Sequence, residues 1–163
     1  MSKVKNIPKR NNKVIKAVRQ TLEHRGMWLY LLLNEAEKKG LKWEDFSKEA
    51  IKQCGCIQGK ELSDNSNAQS FKGLKKQLFT LPAQMVFEMK ILEYDDNKLS
   101  IDFGYCPLVH AWQKLGCSDE EISRLCDIAM EGDRGIAKSF GGEMNLGKTI
   151  ANGDDKCEIR FSK

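Results

Sequence analysis

The sequence lacks the features that mark secreted, membrane-spanning and nucleotide-binding proteins. No apolar segment follows the basic residues at its start, as a secretory signal would require. The most apolar run, Met27–Leu33, is too short to span a bilayer. No P-loop, dinucleotide fingerprint, H-E-x-x-H or G-x-S-x-G motif occurs. We therefore expect a cytoplasmic protein with no membrane partner.

Acidic residues are missing from the first 13 positions of the 163-residue chain, although Lys and Arg residues recur there. The net charge of the whole chain is only +4, so the remainder is nearly neutral. Aromatic residues do not alternate with these lysines, which argues against nucleic acid as a partner. We predict that residues 1–12 are a disordered basic tail and that residues 13–163 form a single α+β domain, helical in its first half and cysteine-containing in its second.

The hydrophobic pattern changes period along the chain. Apolar residues recur at helical spacing over residues 13–39, and a second helix is predicted from Trp43 to about Gln53. Residues 85–91 and 99–105 then alternate between apolar and polar, as strands do, and a further pair of strands is predicted around Asn152-Gly153. The expected fold is α+β, with helices packed on a four-stranded antiparallel sheet made of two hairpins.

Cysteine is the residue type that points to chemistry, since six occur in a chain expected to be reduced. Cys106 precedes Pro107, which suits the first position of a helix, so Cys106 is the predicted N-cap. There the helix dipole and free N–H groups would stabilise a thiolate. The alternative is a small buried residue that ends a strand.

Cys126 and Cys157 each lie on an apolar face, of a helix and of the last strand respectively. Either alone is typical of a core residue, but both faces must meet in one core. Asp133 is seven residues after Cys126, so it falls on the same helix face and would need a partner if buried. No zinc-ribbon spacing occurs. The cofactor is left open, and a divalent metal, if one binds, would be held by Cys106, Cys126 and Cys157.

Two further side chains are candidates for the same site. His110 is four residues after Cys106 and could face it across one helical turn, or it could point to solvent. Asp154 belongs to the predicted turn Gly153-Asp154-Asp155 and could form an acidic rim beside Cys157.

Three stretches of the C-terminal region together resemble the L-2-amino-thiazoline-4-carboxylic acid hydrolase family. They are Tyr105-Cys106-Pro107-Leu108-Val109; Leu125-Cys126-Asp127-Ile128-Ala129 with Asp133; and Leu146-Gly147-Lys148-Thr149-Ile150 with Gly153-Asp154-Asp155-Lys156-Cys157-Glu158-Ile159-Arg160-Phe161. The resemblance covers roughly residues 99–163.

The resemblance implies a hydrolase that opens the cyclic amidine of a thiazoline to N-carbamoyl-cysteine, or acts on a related C–N bond. Such chemistry needs a nucleophile at the amidine carbon and an acid for the leaving nitrogen. Cys106 could attack directly, or cysteines and an aspartate could hold a metal that activates water. His110 and Asp133 are the proton-transfer candidates, and Arg134 or Lys148 could bind the substrate carboxylate. The late cysteines are also similar to those of 4-vinyl-reductase-type domains, so a non-catalytic small-molecule or metal sensor is the alternative.

Overall fold

The computed structural model describes residues 2–66 and 69–163. Within these ranges the chain forms six α-helices, four strands and one 3-10 turn. The elements are α1 (Lys13–Lys38), α2 (Trp43–Ser66), α3 (Phe71–Gln77), α4 (Leu81–Phe87), β1 (Met89–Tyr94), β2 (Lys98–Phe103), α5 (Pro107–Lys114), α6 (Asp119–Ser139), β3 (Glu143–Leu146), the 3-10 turn (Ile150–Asn152) and β4 (Cys157–Ser162).

The four strands form one antiparallel sheet in the order β1-β2-β4-β3. The two central strands, β2 and β4, are paired through residues such as Ile101 with Ile159. Side chains on one face of these strands are buried against α3 and the second half of α6. The α+β prediction is therefore confirmed, including the antiparallel sheet of two strand pairs.

A second core cluster lies among α1, α2, α5 and the first half of α6. Trp43 and Trp112 are almost fully buried there, beside Leu125 and Val109. The Nε1 of Trp112 donates a hydrogen bond to the carbonyl of Gly26 at 2.9 Å, which ties α5 to α1. This cluster contains the cysteines singled out by the sequence.

Helix α2 is twice as long as predicted, because it continues through the Cys54-Gly55-Cys56 segment to Ser66. Glycine is required there by contact with α6 rather than by a turn. A Cβ atom on Gly55 would lie 2.0 Å from the carbonyl oxygen of Gly132, and one on Gly135 would lie 2.3 Å from that of Lys52. The backbones of the two helices therefore touch.

Residues 2–12, which the sequence predicts to be part of a disordered basic tail over residues 1–12, lie extended along the body. Val4 and Asn6 are buried. The backbone N–H groups of Lys9 and Arg10 both donate to the Glu88 carboxylate at 2.7 Å. The hydrophobic pattern of residues 2–12 gives no sign of this packing, because their polar groups bond to residues far along the chain, such as Glu88 and Cys106. We call residues 2–12 the N-terminal strap.

The predicted strand at residues 85–91 is wrong in its first half, because Met85 and Phe87 belong to α4 and the strand begins at Met89. Glu88 connects α4 to β1 in a left-handed backbone conformation with φ of 52°. Arg19 holds it there, with Nη2 3.1 Å from the Glu88 carboxylate and Nε donating to the carbonyl of Val86 at 2.8 Å. None of the described helices is long and apolar enough to cross a bilayer.

Candidate thiol site

Cys106 occupies the N-cap of α5, and Pro107 is the first helical residue. The strap holds its backbone, since the Asn6 side chain bonds both to its N–H and to its carbonyl. Burial raises the pKa of the Cys106 thiol, although hydrogen bonds from the backbone of Val109 and Leu108 act in the opposite direction. The N-cap prediction is confirmed, whereas the expected lowering of the pKa is wrong because burial outweighs the helix end.

Cys126 and Cys157 pack against the same core cluster as Cys106. Burial raises the pKa of Cys157 to about 12, and its Sγ accepts a hydrogen bond from the Ile150 N–H at 3.4 Å. Burial also raises the pKa of Cys126 well above its ordinary value, and the neighbouring thiols Cys106 and Cys157 add to that rise. The three thiols thus meet in one region and are protonated at neutral pH.

Asp133 adds a carboxyl group to this thiol cluster. Burial raises its pKa to about 6, while the charges of Arg25 and Arg134 oppose the rise. Asp133 in turn raises the pKa of Cys106 and Cys126, so it lies within electrostatic range of both. A carboxyl that titrates near neutrality beside weakly acidic thiols can accept and return a proton.

His110 lies on the other side of α5, toward α1. Its ring is 6.1 Å from that of Tyr105, and burial lowers its pKa, with Glu23 acting against that change. The charges that act on it belong to Glu23, Lys114 and Arg19, whereas those that act on Cys106 include Asp133. The structure therefore brings Asp133, but not His110, toward the thiols.

A cleft of about 260 Å³ opens beside Cys126. Its walls come from α6, β3 and the segment around the 3-10 turn: Ser123, Cys126, Asp127, Arg134, Leu146, Gly147, Thr149 and Asn152. Arg134 contacts Asp127 at 3.1 Å and Glu131 at 2.7 Å, so its charge is already partnered. Burial acts to raise the pKa of Asp127, but bonds from Lys48 and Arg134 hold it below its ordinary value.

Asp154 and Lys148 lie close to this cleft. The Asp154 carboxylate accepts from the Thr149 N–H at 2.9 Å and raises the pKa of Cys157 by its charge. Lys148 is exposed, and its backbone carbonyl accepts from Glu158. Asp154 therefore shapes the turn and also lies beside a thiol.

Among the described residues, no three His, Cys, Asp or Glu side chains come together as a metal ion would require. Cys106, Cys126 and Cys157, the proposed metal set, therefore do not form such a group among the described residues. No step through a metal is derived for this site.

Comparison with known proteins identifies the family. The family model for L-2-amino-thiazoline-4-carboxylic acid hydrolase matches residues 19–161. The chain belongs to this family, and the match extends the resemblance from the C-terminal region to nearly the whole chain. No curated protein matches the chain by sequence.

The fold is also similar to that of a solved structure with a different description. This is a trafficking protein particle complex subunit 3 from Naegleria fowleri covalently bound to palmitic acid, which aligns with a TM-score of 0.56 at 20% identity. The alignment covers 88% of this chain and 95% of that one. At this identity the likeness establishes the fold.

Proposed function

We propose that this protein hydrolyses a cyclic amidine, with 2-amino-thiazoline-4-carboxylate as the first substrate to test. The family supports hydrolase chemistry at the level of the class. The observation that carries the proposal is Asp133, a carboxyl with a pKa of about 6 beside the Cys106 and Cys126 thiols. Its pKa suits a group that takes a proton in one step and returns it in the next.

The atoms of the reaction define what each group does. N-carbamoyl-cysteine keeps both amidine nitrogens, so the bond that breaks is the ring C–S bond, and a C–N bond would break only in a related substrate. In our mechanism Asp133 accepts the Cys106 proton, the sulfur attacks the amidine carbon, and the ring sulfur leaves with the proton from Asp133. Water then attacks the same carbon, its oxygen becomes the carbonyl oxygen, and Cys106 departs as the thiol. The N–H groups at the start of α5 stabilise the Cys106 sulfur when it carries charge.

The cleft supplies the polar groups that such a substrate needs. Arg134 is the proposed partner for the substrate carboxylate, by exchange with one of its present carboxylates, and exposed Lys148 is a second cation nearby. Asp154 is proposed to accept from the amidine N–H groups. His110 remains a candidate for proton transfer only if it reaches the site by rotating away from α1.

The remaining expectations follow from the same proposal. We propose a small-molecule substrate, a cytoplasmic location, and no membrane or nucleic-acid partner. The six cysteines are free thiols, which suits a reducing compartment.

The test is turnover of 2-amino-thiazoline-4-carboxylate, followed by mass spectrometry of the ring-opened product. Cys106→Ser and Asp133→Asn should each reduce the rate at least a hundredfold. Cys54→Ser is the matched control, because Cys54 is exposed. Binding of the substrate without turnover by the unchanged protein would favour a small-molecule sensor instead.

A second candidate function is covalent acyl binding by Cys106. The solved structure with a similar fold is described as covalently bound to palmitic acid, and Cys106 here packs against the same apolar core cluster as Leu29 and Leu108. In this reaction the Cys106 sulfur attacks an activated acyl thioester and forms a new thioester, and the carrier thiol leaves with the proton. Intact-mass analysis after incubation with an acyl thioester should then give one acyl adduct that hydroxylamine removes. Cys106→Ser should abolish that adduct, and its persistence would contradict the assignment.

A further inference from the structure

Residues 2–6 of the N-terminal strap, which we call the flap, lie on the body without forming a helix or a strand. The Asp119 carboxylate, in the first turn of α6, accepts from the Ser2 hydroxyl and from the Lys3 N–H, the latter at 2.8 Å. Val4 is 5% exposed and is the one apolar side chain that the flap adds to the core cluster. The flap is therefore held by a few side chains rather than by a backbone ladder.

The path of the flap runs from the rim of the cleft to the candidate nucleophile. A Cβ atom on Gly153 would lie 3.1 Å from the Lys3 side chain and 3.2 Å from its carbonyl oxygen, so the flap passes directly over Gly153. Asn152, the preceding residue, belongs to the wall of the cleft. At the other end of the flap, Asn6 bonds to the backbone of Cys106.

The strap is fixed more firmly just beyond the flap. The N–H groups of Lys9 and Arg10 both donate to Glu88, and Arg19 Nη1 donates to the carbonyl of Arg10 at 2.7 Å. The side chains of Arg19 and Glu88 form an ion pair and are only 5% and 7% exposed. Pro8, between this anchor and the flap, is exposed and has no N–H group to donate.

The cleft and Cys106 are separate in this arrangement. Cys126 is the one thiol among the described residues that wall the cleft, although Cys106 is the proposed nucleophile. Helices α5 and α6 each add several side chains to the core cluster, whereas the flap adds Val4 alone. Segments with few buried apolar contacts are those that open locally, so the flap is the part of the enclosure that moves most easily.

We infer that the flap is a lid, which lifts from Cys106 about the anchor at Glu88 and so joins the cleft to the candidate nucleophile. This inference rests on the proposed function, in which a substrate bound in the cleft reacts with Cys106. Closure restores the two bonds from Asn6 and fixes the position of Cys106 again.

The first experiment compares Asp119→Ala with Glu120→Ala in the full chain. Glu120 is exposed in the same turn of α6, so both variants lose one carboxylate at the helix start, but only Asp119 holds the flap. Alkylation by iodoacetamide at one fixed pH is followed by peptide mass mapping. Asp119→Ala should speed the alkylation of Cys106 about tenfold over Glu120→Ala, with that of buried Cys157 unchanged. Equal rates at Cys106 in the two variants would overturn the inference, and so would an equal acceleration of Cys157, which indicates global unfolding.

The second experiment locks the flap. Ser2→Cys combined with Asp119→Cys replaces the hydrogen bond between these side chains with a disulfide, which intact mass verifies. The oxidised form should alkylate Cys106 at least tenfold more slowly than the reduced form, and an equal rate would contradict a lid. If 2-amino-thiazoline-4-carboxylate is turned over, the locked form should lose that turnover and regain it on reduction. Absence of turnover in every form would count against the proposed hydrolase alone, since the alkylation rates test the lid without it.

Discussion

The side-chain amide of Asn6 forms two hydrogen bonds with the backbone of Cys106. Its Nδ2 donates to the Cys106 carbonyl at 2.7 Å, and its Oδ1 accepts from the Cys106 N–H at 2.9 Å. Asn6 is only 6% exposed, so water does not replace these bonds readily. The N-terminal strap therefore fixes the junction between β2 and α5, where the candidate nucleophile lies.

Replacing Asn6 with Ala should destabilise the protein by about 1–3 kcal/mol, because two backbone groups of Cys106 lose their partner. Urea unfolding monitored by circular dichroism measures this change. Asn97→Ala is the matched control, since Asn97 is exposed in the turn between β1 and β2 and should change stability by less than about 0.5 kcal/mol. An unchanged midpoint for Asn6→Ala would mean that the strap does not hold Cys106 in solution.

Local patterns predicted those parts of the fold that depend on neighbouring residues. Ser118 and Glu121 form a capping box at the start of α6 and bond each other's backbone N–H groups, as the local sequence Ser118-Asp119-Glu120-Glu121 favours. Cys106 caps α5 because Pro107 can only begin a helix. The alternation in β4 buries every second residue, including Cys157, as its pattern indicates.

Long-range contacts explain what the sequence could not reveal. Over so short a stretch, Met85 and Phe87 fit a strand pattern as well as a helical one. For that reason the sequence predicted a strand where α4 ends. The second helix was predicted to end at about Gln53, but α2 continues through Gly55, where another helix touches its backbone. The partnership of Asn6 with Cys106 spans 100 residues and leaves no local signal.

For the candidate site as well, the sequence predicted what depends on local patterns and missed what depends on long-range contacts. The three cysteines converge because their elements have apolar faces that share one core, and Asp133 follows from helical spacing. The direction of the Cys106 pKa could not be predicted from sequence, since helix capping is local whereas the burial that raises this pKa depends on everything packed around the thiol. Whether these residues act catalytically stays a prediction.

Asp133 should make stability depend on pH between about pH 4 and pH 6. Its pKa is raised from 3.8 to about 6 in the folded protein, so the folded state binds the proton more tightly than the unfolded state. Stability from this group is full below pH 4 and is lost as pH rises to 6, by about 1–3 kcal/mol. Asp133→Asn should therefore gain stability over the unchanged protein above pH 6 but not below pH 4.

The measurement is urea unfolding of Asp133→Asn and of the unchanged protein across this pH range. The difference between their free energies of unfolding removes the contributions of the other carboxylates, which both proteins share. Asp155→Asn, at an exposed turn position, is the control for loss of one negative charge. A difference that does not grow from pH 4 to pH 6 would show that Asp133 titrates normally.

The thiols should react with iodoacetamide in an order set by access and burial. Cys54 is exposed and should be modified first at neutral pH. Cys157 should be last, because it is buried and its pKa is raised to about 12. Peptide mass mapping over time gives the order, and a denatured sample in which all cysteines react is the control. Early modification of Cys106 would mean that the N–H groups of α5 outweigh burial after all.

The contact between α2 and α6 gives a prediction in which two similar substitutions have opposite effects. Gly55→Ala would place a Cβ atom 2.0 Å from the carbonyl oxygen of Gly132, so one helix must move, and we expect a loss of roughly 3 kcal/mol or more. Gly132→Ala, on the facing helix, would place its Cβ 3.7 Å from Cγ2 of Ile51, which is an ordinary contact. Alanine is the better helix former, so this variant should be neutral or gain up to about 1 kcal/mol. Thermal unfolding compares the two, and equal shifts would contradict the close approach of the helices.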